Sequence, residues 1–348
     1  MTDEILFEVR GAAAVATLNR PEALNAVTLG MIHAYHPQLD LWADDPAIRA
    51  VVVRGAGERA FSAGGDIRAL WDGGPGSEIT RAFFRDEYRL NHRIFHYPKP
   101  YVALMDGITM GGGVGMSVHG SHRIASEATM FAMPETGIGL FPDVGGAYFL
   151  PRLPGETGMY MAMTGARFRA ADCVHARICD VYVPAAKHDA LIEALAGGES
   201  VDGAIEHLAE DSGGAPLTVH EVEIDRCFAG DSLEAIGHAL KAEGTEWAEH
   251  TLEVMAAKSP TSQKIAFRQL REGRELSFDE CMVMEYRMSQ HVMAGHDFFE
   301  GVRTTVIDRD DAPEWRPATL AELDTAAVDA YFAPLGDNDL TFPGAGSA

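Results

Sequence analysis

Tyr101-Val-Ala-Leu-Met105, followed soon after by Met110-Gly-Gly-Gly-Val-Gly115, is an uncharged apolar run that gives way to a cluster of glycines. The run suits a strand buried on both faces in a parallel sheet. The glycines predict a turn, with a helix from about Gly112 to His122. The same succession occurs upstream. Arg49-Ala-Val-Val-Val-Arg54 reads as a buried strand, Gly55 to Asp66 as a glycine-rich loop, and residues 78–95 as a helix ended by Pro98-Lys99-Pro100. Recurring strand, glycine turn and helix imply an α/β fold of crossover units rather than a β-sandwich.

Working outward, Ile5 to Asn19 reads as two short strands around a turn at Arg10-Gly11, closed by Arg20-Pro21. Residues 28–43 carry helical spacing (Leu29, Ile32, Leu39, Trp42), with Pro37 expected to kink them. After Pro151 the spacing predicts a helix over 156–176 and a strand over Asp180 to Val183. From 187 to 295 the pattern is mostly helical, with an acid- and alanine-rich stretch at 198–250 and an amphipathic helix over Asp279 to Ala294. Trp315 and Phe332 are isolated aromatics beyond it. The expected organisation is a core over 1–184 and a mostly helical region over 185–348 that covers the site or mediates assembly.

The formal net charge of −24 argues against a nucleic-acid partner, which needs a basic face. No run is long and apolar enough to span a membrane. The first residues, Met1-Thr-Asp-Glu-Ile, have neither a basic nor an apolar leader pattern, so a cytoplasmic protein is expected. Cys173, Cys179, Cys227 and Cys281 lack metal-site or disulfide spacing and read as reduced structural thiols. The tail Gly344 to Ala348 reads as disordered, and acidic pairs such as Asp310-Asp311 read as solvated; no metal site is indicated.

Three segments could carry chemistry: Ala60-Phe-Ser-Ala-Gly-Gly-Asp-Ile67, Met110-Gly-Gly-Gly-Val-Gly115 and Met133-Pro-Glu-Thr-Gly-Ile-Gly-Leu-Phe-Pro-Asp-Val-Gly-Gly146. Glycine at a turn lets a ligand oxygen approach free backbone N–H groups, and one from each of two turns would make an oxyanion hole. Each cluster alone reads equally well as a tight turn. Neither nucleotide-loop motif is present. Glu135 and Asp143 sit among Gly, Pro and apolar residues, where desolvation would raise a carboxyl toward a useful pKa. The alternative is that Glu135 caps a helix and that Asp143 caps one starting near Val144. Spacing does not decide between them. There is no Gly-x-Ser-x-Gly elbow, so a Ser-His-Asp triad has no support. His119 and His122 read as packing or surface residues, and His296-Asp297 as fixing the C-terminal segment.

Taken together, the three segments resemble the crotonase (enoyl-CoA hydratase/isomerase) superfamily. The resemblance implies a spiral of repeated ββα units, with oxyanion-hole amides at Gly65 and Gly112. Asn25, Ala26 and Ala63 match backbone positions that meet CoA in that family. A hydratase of the family carries a glutamate two residues after the glycine run, where this chain has Gly115; hydration is therefore disfavoured, and isomerisation, which needs one base, stays open.

Nearly the whole chain, least so residues 185–250, is similar to the 3-hydroxyisobutyryl-CoA hydrolases. The strings that carry this are Gly107 to Gly115, Phe131 to Glu135, Gly139 to Gly145, Ser259-Pro-Thr-Ser262, Met284-Glu-Tyr-Arg287, Gly295-His-Asp-Phe298 and Glu300-Gly-Val-Arg303. The resemblance implies that Glu135, Asp143, Gly112 and Glu87 contact substrate, with Glu135 as nucleophile or general base. It implies an acyl-CoA substrate, no separate cofactor because CoA is part of that substrate, and a possible homo-oligomer (trimer or hexamer). A solvated helix carboxylate is the alternative for Glu87. CoA is itself anionic, so an acidic chain must meet its phosphates through backbone amides and a few local cations.

Overall fold

The structure, a computed structural model, describes residues 2–309 and 312–342. The tail Gly344 to Ala348 and the pair Asp310-Asp311 lie outside the described residues. The chain divides into two units that interleave in sequence. The first comprises Met1–Asp66, Arg89–Ala132 and Arg167–Leu217; the second comprises Ile67–Tyr88, Met133–Ala166 and Thr218–Ala348. The expected single division near residue 184 is thus replaced by several crossings. The reason is that the segments inserted between strands of the first unit pack with the C-terminal helices instead of their sequence neighbours.

All ten strands belong to the first unit: β1 (Ile5–Arg10), β2 (Ala13–Leu18), β3 (Ala50–Gly55), β4 (Ala60–Ser62), β5 (Tyr101–Met105), β6 (Ile108–Met110), β7 (His122–Ala125), β8 (Met130–Ala132), β9 (Phe168–Arg169) and β10 (Val181–Tyr182). One sheet has the order β1-β2-β3-β5-β7-β10 and the other β4-β6-β8-β9. Strands β3, β5 and β7 each hand over to β4, β6 and β8, so successive ββ pairs send their first strand to one sheet and their second to the other. Neighbours within β2-β3-β5-β7-β10 and within β4-β6-β8 are parallel. This is the spiral of ββα turns that the resemblance implied.

Parallel strands covered on both faces need apolar residues at every position. Ala50 to Val53 and Tyr101 to Met105 are buried without a break. On one face, Val15, Val52, Val102, Leu104 and Ile124 pack against Leu191, Ile192, Leu195, Val201 and Ala204 from the helices His188–Ala196 and Val201–Leu208. Each Val, Leu or Ile among them contributes about 1.5–3 kcal/mol on burial.

The Glu78–Phe95 helix has the expected bounds, and the Leu29–Asp44 helix runs through Pro37. The helix expected over 112–122 is corrected: it spans only Gly112–Gly115, and His122 begins β7. Gly115 and Gly120 remove the side chains that would have held further turns, and the chain must reach β7 within a few residues. The 156–176 segment is likewise two helices, Thr157–Thr164 and Ala170–His175, separated by Gly165 in the left-handed region (φ 69°) and by β9. Beyond Tyr182 every named element is helical. All four cysteines are free and buried.

Gly113 shows how tightly the glycine run is held. A Cβ there would lie 2.3 Å from the Ser62 carbonyl oxygen, whereas one on Gly237 in the Leu233–Glu243 helix meets nothing within 4 Å. Gly113→Ala is therefore expected to lower stability by about 1–3 kcal/mol, and Gly237→Ala to raise it by about 0.4–1 kcal/mol. Urea unfolding of the two variants beside wild type checks both signs.

Candidate active site

In the first unit the two candidate amides come from neighbouring parallel strands. β4 pairs with β6, and each runs straight into its glycine turn. Gly65 is bridged to Val27, with the Val27 N–H donating to Gly64 O (2.8 Å) and the Asp66 N–H to Val27 O (2.8 Å). Alternation along an extended segment turns the Gly65 N–H the other way. Neither it nor the Gly112 N–H donates a hydrogen bond among the described residues. A Cβ built on Gly64 (φ 121°) falls 3.8 Å from Gly112 N, so the two turns lie side by side. Gly111 (φ 47°, ψ −124°) takes a conformation that only glycine adopts readily.

Asn25, Ala26 and Ala63 shape the same region. Asn25 is buried at φ 55°; its Nδ2 donates to Ala56 O (2.9 Å) and Ala60 O (2.8 Å), and its Oδ1 accepts from Arg20 N (2.9 Å). Its side chain is thereby spent on the loop. Ala26 O accepts from Arg20 and the Ala63 N–H donates to Leu24 O (2.9 Å). His119 is buried, and His122 lies between Ser121 and Asp202 at the surface.

In the second unit the structure brings the acidic candidates into one buried neighbourhood. Glu87, Glu135 and Asp143 are 3%, 4% and 4% exposed. Glu135 opens the short turn Glu135–Ile138, which Gly139 ends at φ 73°. Burial, then the charge of Asp143, pushes the Glu135 carboxyl well above its ordinary range, while Lys258 pulls the other way. Asp143 is raised to about 7, chiefly by burial, against the lowering effect of the Tyr88 hydroxyl, which donates to Oδ2 at 2.9 Å. Glu87 is raised by burial and by Asp143. Glu87 Oε1 and Glu135 Oε2 are buried without a hydrogen-bond partner among the described residues. Buried acceptors of this kind are where a ligand or a held proton is expected.

The capping alternatives are resolved. No side chain of Glu135 or Asp143 caps a helix. The start of the Gly146–Phe149 helix is instead served by Glu285, whose carboxylate accepts from Gly145 N (2.8 Å) and Ala147 N (2.7 Å). Tyr88 and Glu285 are the residues that sequence reasoning missed. Glu285 did leave a signal: on the Phe278–Ala294 helix it falls in line with Phe278, Cys281, Met282, Ser289 and Val292, all buried. A carboxylate on an apolar stripe needs a partner.

The C-terminal strings converge on the same segment. Ser259 Oγ donates to Asp297 Oδ2 (2.6 Å), and the Ser259 N–H to Thr136 O (3.1 Å). Asp297 lies against Gly139, where a Cβ would come 2.2 Å from its backbone, and Gly301 packs as closely on Ile138. Glu300 pairs with Arg303 (2.9 Å), which holds its carboxyl down at about 2.

A family model described as Enoyl-CoA hydratase/isomerase matches residues 13–332. The chain belongs to the enoyl-CoA hydratase/isomerase family. Within this family it is 48% identical to a protein of Xenopus tropicalis named 3-hydroxyisobutyryl-CoA hydrolase, mitochondrial, over 97% of this chain and 90% of that one. A solved structure titled carnitinyl-CoA dehydratase, from Mycobacterium thermoresistibile, superposes with a TM-score of 0.93 at 41% identity, covering 99% of this chain and 100% of that one. One titled enoyl-CoA hydratase, from Rhodobacter sphaeroides 2.4.1, gives 0.90 at 39%, covering 98% and 100%. The crotonase-type fold expected from the sequence is thus the one observed. The expected cytoplasmic placement is overturned, because the hydrolases that this family member is similar to are named mitochondrial. Composition of the folded body does not encode a cellular address. No helix among the described residues is long and apolar enough to cross a membrane.

Tyr88 stabilises the charged form of Asp143, so removing its hydroxyl raises the Asp143 pKa further. A hydrogen bond to a carboxylate of about 1.5–3 kcal/mol corresponds to roughly one to two pKa units. Carboxyl carbon NMR of Tyr88→Phe is expected to show Asp143 titrating at higher pH than in wild type; an unmoved or lowered midpoint contradicts the assignment.

Proposed function

We propose that this chain hydrolyses 3-hydroxyisobutyryl-CoA to 3-hydroxyisobutyrate and CoA, a reaction of valine breakdown. The observation that carries the reading is 48% identity, over 97% of the chain, to a protein named for that reaction. The residues fit the chemistry. The Gly65 and Gly112 N–H groups would hold the thioester oxygen as it gains negative charge, a device worth about 3–4 kcal/mol of barrier per donor. Glu135 either takes the proton from water as the water oxygen attacks the carbonyl carbon, or attacks that carbon itself to give an anhydride that water then opens. In both routes the C–S bond breaks and its electron pair leaves with CoA as thiolate. A thiol pKa of roughly 8.5 makes that departure easy without a strong general acid.

Asp143, with one oxygen bonded to Tyr88, would orient water or receive the 3-hydroxyl of the substrate, and Glu87 would hold that hydroxyl. CoA arrives as part of the substrate and leaves as a product, so the reaction calls for no separate cofactor. Hydration of an enoyl-CoA is the second reading, favoured by the titles of the two solved relatives. Against it stands Gly115, buried and without a carboxylate, where a hydratase of this family carries its first glutamate.

The test is thiol release from 3-hydroxyisobutyryl-CoA, followed beside hydration of crotonyl-CoA, with Glu135→Ala in parallel. Rapid release that falls by about 10²-fold or more in the variant is expected, the range in which acid–base catalysis operates. Background release together with crotonyl-CoA turnover would reassign the chain to hydration.

A further inference from the structure

Pro142-Asp143-Val144-Gly145-Gly146 is a strained turn. The Gly146 N–H donates to Asp143 O (2.9 Å), and the two residues between them have positive φ: 52° at Val144 and 88° at Gly145. A β-branched residue at positive φ is a genuine outlier, stable only where its surroundings over-determine it. What holds the turn comes from far along the chain. Glu285, wholly buried, accepts from Gly145 N through one oxygen and from Ala147 N through the other. Gln269 Nε2 bridges Pro142 O (2.7 Å) and Glu285 Oε1 (3.2 Å). The cap position of the Gly146–Phe149 helix is held by Gly145, which has no side chain to accept from the first N–H groups. Glu285 supplies the acceptors, and the Asp143 carboxylate turns to Tyr88. Tyr286, next along the helix, packs edge-on against Tyr88 at 6.5 Å between ring centroids, so consecutive residues fix the turn and the phenol that meets it.

We infer that Glu285 is a positioning residue for Asp143: by accepting from Gly145 and Ala147 it fixes the turn that sets that carboxylate in place for the reaction. Its kinetic side rests on the hydrolase reading; its structural side does not. Burial raises the Glu285 carboxyl to about 8, and the bonds from Gly145, Ala147 and Gln269 work against that rise.

The experiment compares Glu285→Ala and Glu285→Gln, each alone and combined with Asp143→Asn, in thiol release from 3-hydroxyisobutyryl-CoA and in amide hydrogen exchange. Glu285→Ala is expected to lower kcat by roughly 10- to 100-fold with KM little changed, the cost of a misplaced group. In the Asp143→Asn background the same change should cost less than about threefold, because its effect runs through the missing carboxylate. The Gly145 and Ala147 amides should exchange faster without their acceptor. Losses that multiply in the double variant, or a kcat within about twofold of wild type, overturn the inference. Glu285→Gln keeps the volume and one acceptor oxygen and is read in the same way if the alanine variant does not fold. If the wild-type protein releases no thiol, the hydrolase reading fails by itself. Exchange at Gly145 and Ala147 then still decides whether Glu285 holds the turn.

Discussion

Four carboxyl groups, Glu87, Glu135, Asp143 and Glu285, are buried within one unit, and all are raised above their ordinary range by burial. Like charges removed from water cannot all ionise cheaply. Each must therefore be given hydrogen-bond donors, be held in its protonated form, or face an opposing charge. Much of the second unit answers that requirement. Glu285 is given two backbone N–H groups and the Gln269 amide; Asp143 is given the Tyr88 hydroxyl; the charge of Lys258 eases Glu135. Glu87 Oε1 and Glu135 Oε2 are buried without a donor among the described residues, and both residues are proposed to meet substrate.

The C-terminal strings acquire meaning from this constraint. Ser259 to Ser262 begins a helix and ties Thr136 to Asp297. Met284 to Arg287 supplies the Glu285 cap, the Tyr286 ring against Tyr88 and an Arg287–Asp339 ion pair (2.7 Å). Gly301, in the string Glu300 to Arg303, gives Ile138 a surface without side chains. These helices are the mould in which the 135–146 segment is cast, so a relative could not lose them and keep the same carboxylate geometry.

The spiral came from the resemblance; the crossover units were legible because their buried parallel strands are long enough to show as apolar runs, as at 50–53 and 101–105. The second sheet was not. β4, β6 and β8 have three residues each, too few for periodicity, and two of them run directly into glycine turns. The Gly112 helix was overextended because apolar residues continue to Val118, yet those residues pack in turns. Glu135 and Asp143 were readable as candidates from their apolar surroundings, and Glu87 only through the resemblance. The acceptor that holds the Asp143 turn lies 140 residues from Gly145 in sequence, a distance at which no local pattern speaks. The interleaving of the two units was hidden for the same reason.

The side-by-side turns after β4 and β6 offer N–H groups of the main chain, and a main-chain donor survives nearly every point mutation. Side chains around it are free to drift while the pair persists. On the proposed reading, a chain built on such a pair could exchange one carboxylate for another and change what it does to a thioester without rebuilding where it grips it. Proteins titled dehydratase and hydratase share this backbone at TM-scores of 0.93 and 0.90. On that reading the grip belongs to the main chain, and the reaction to the side chains around it.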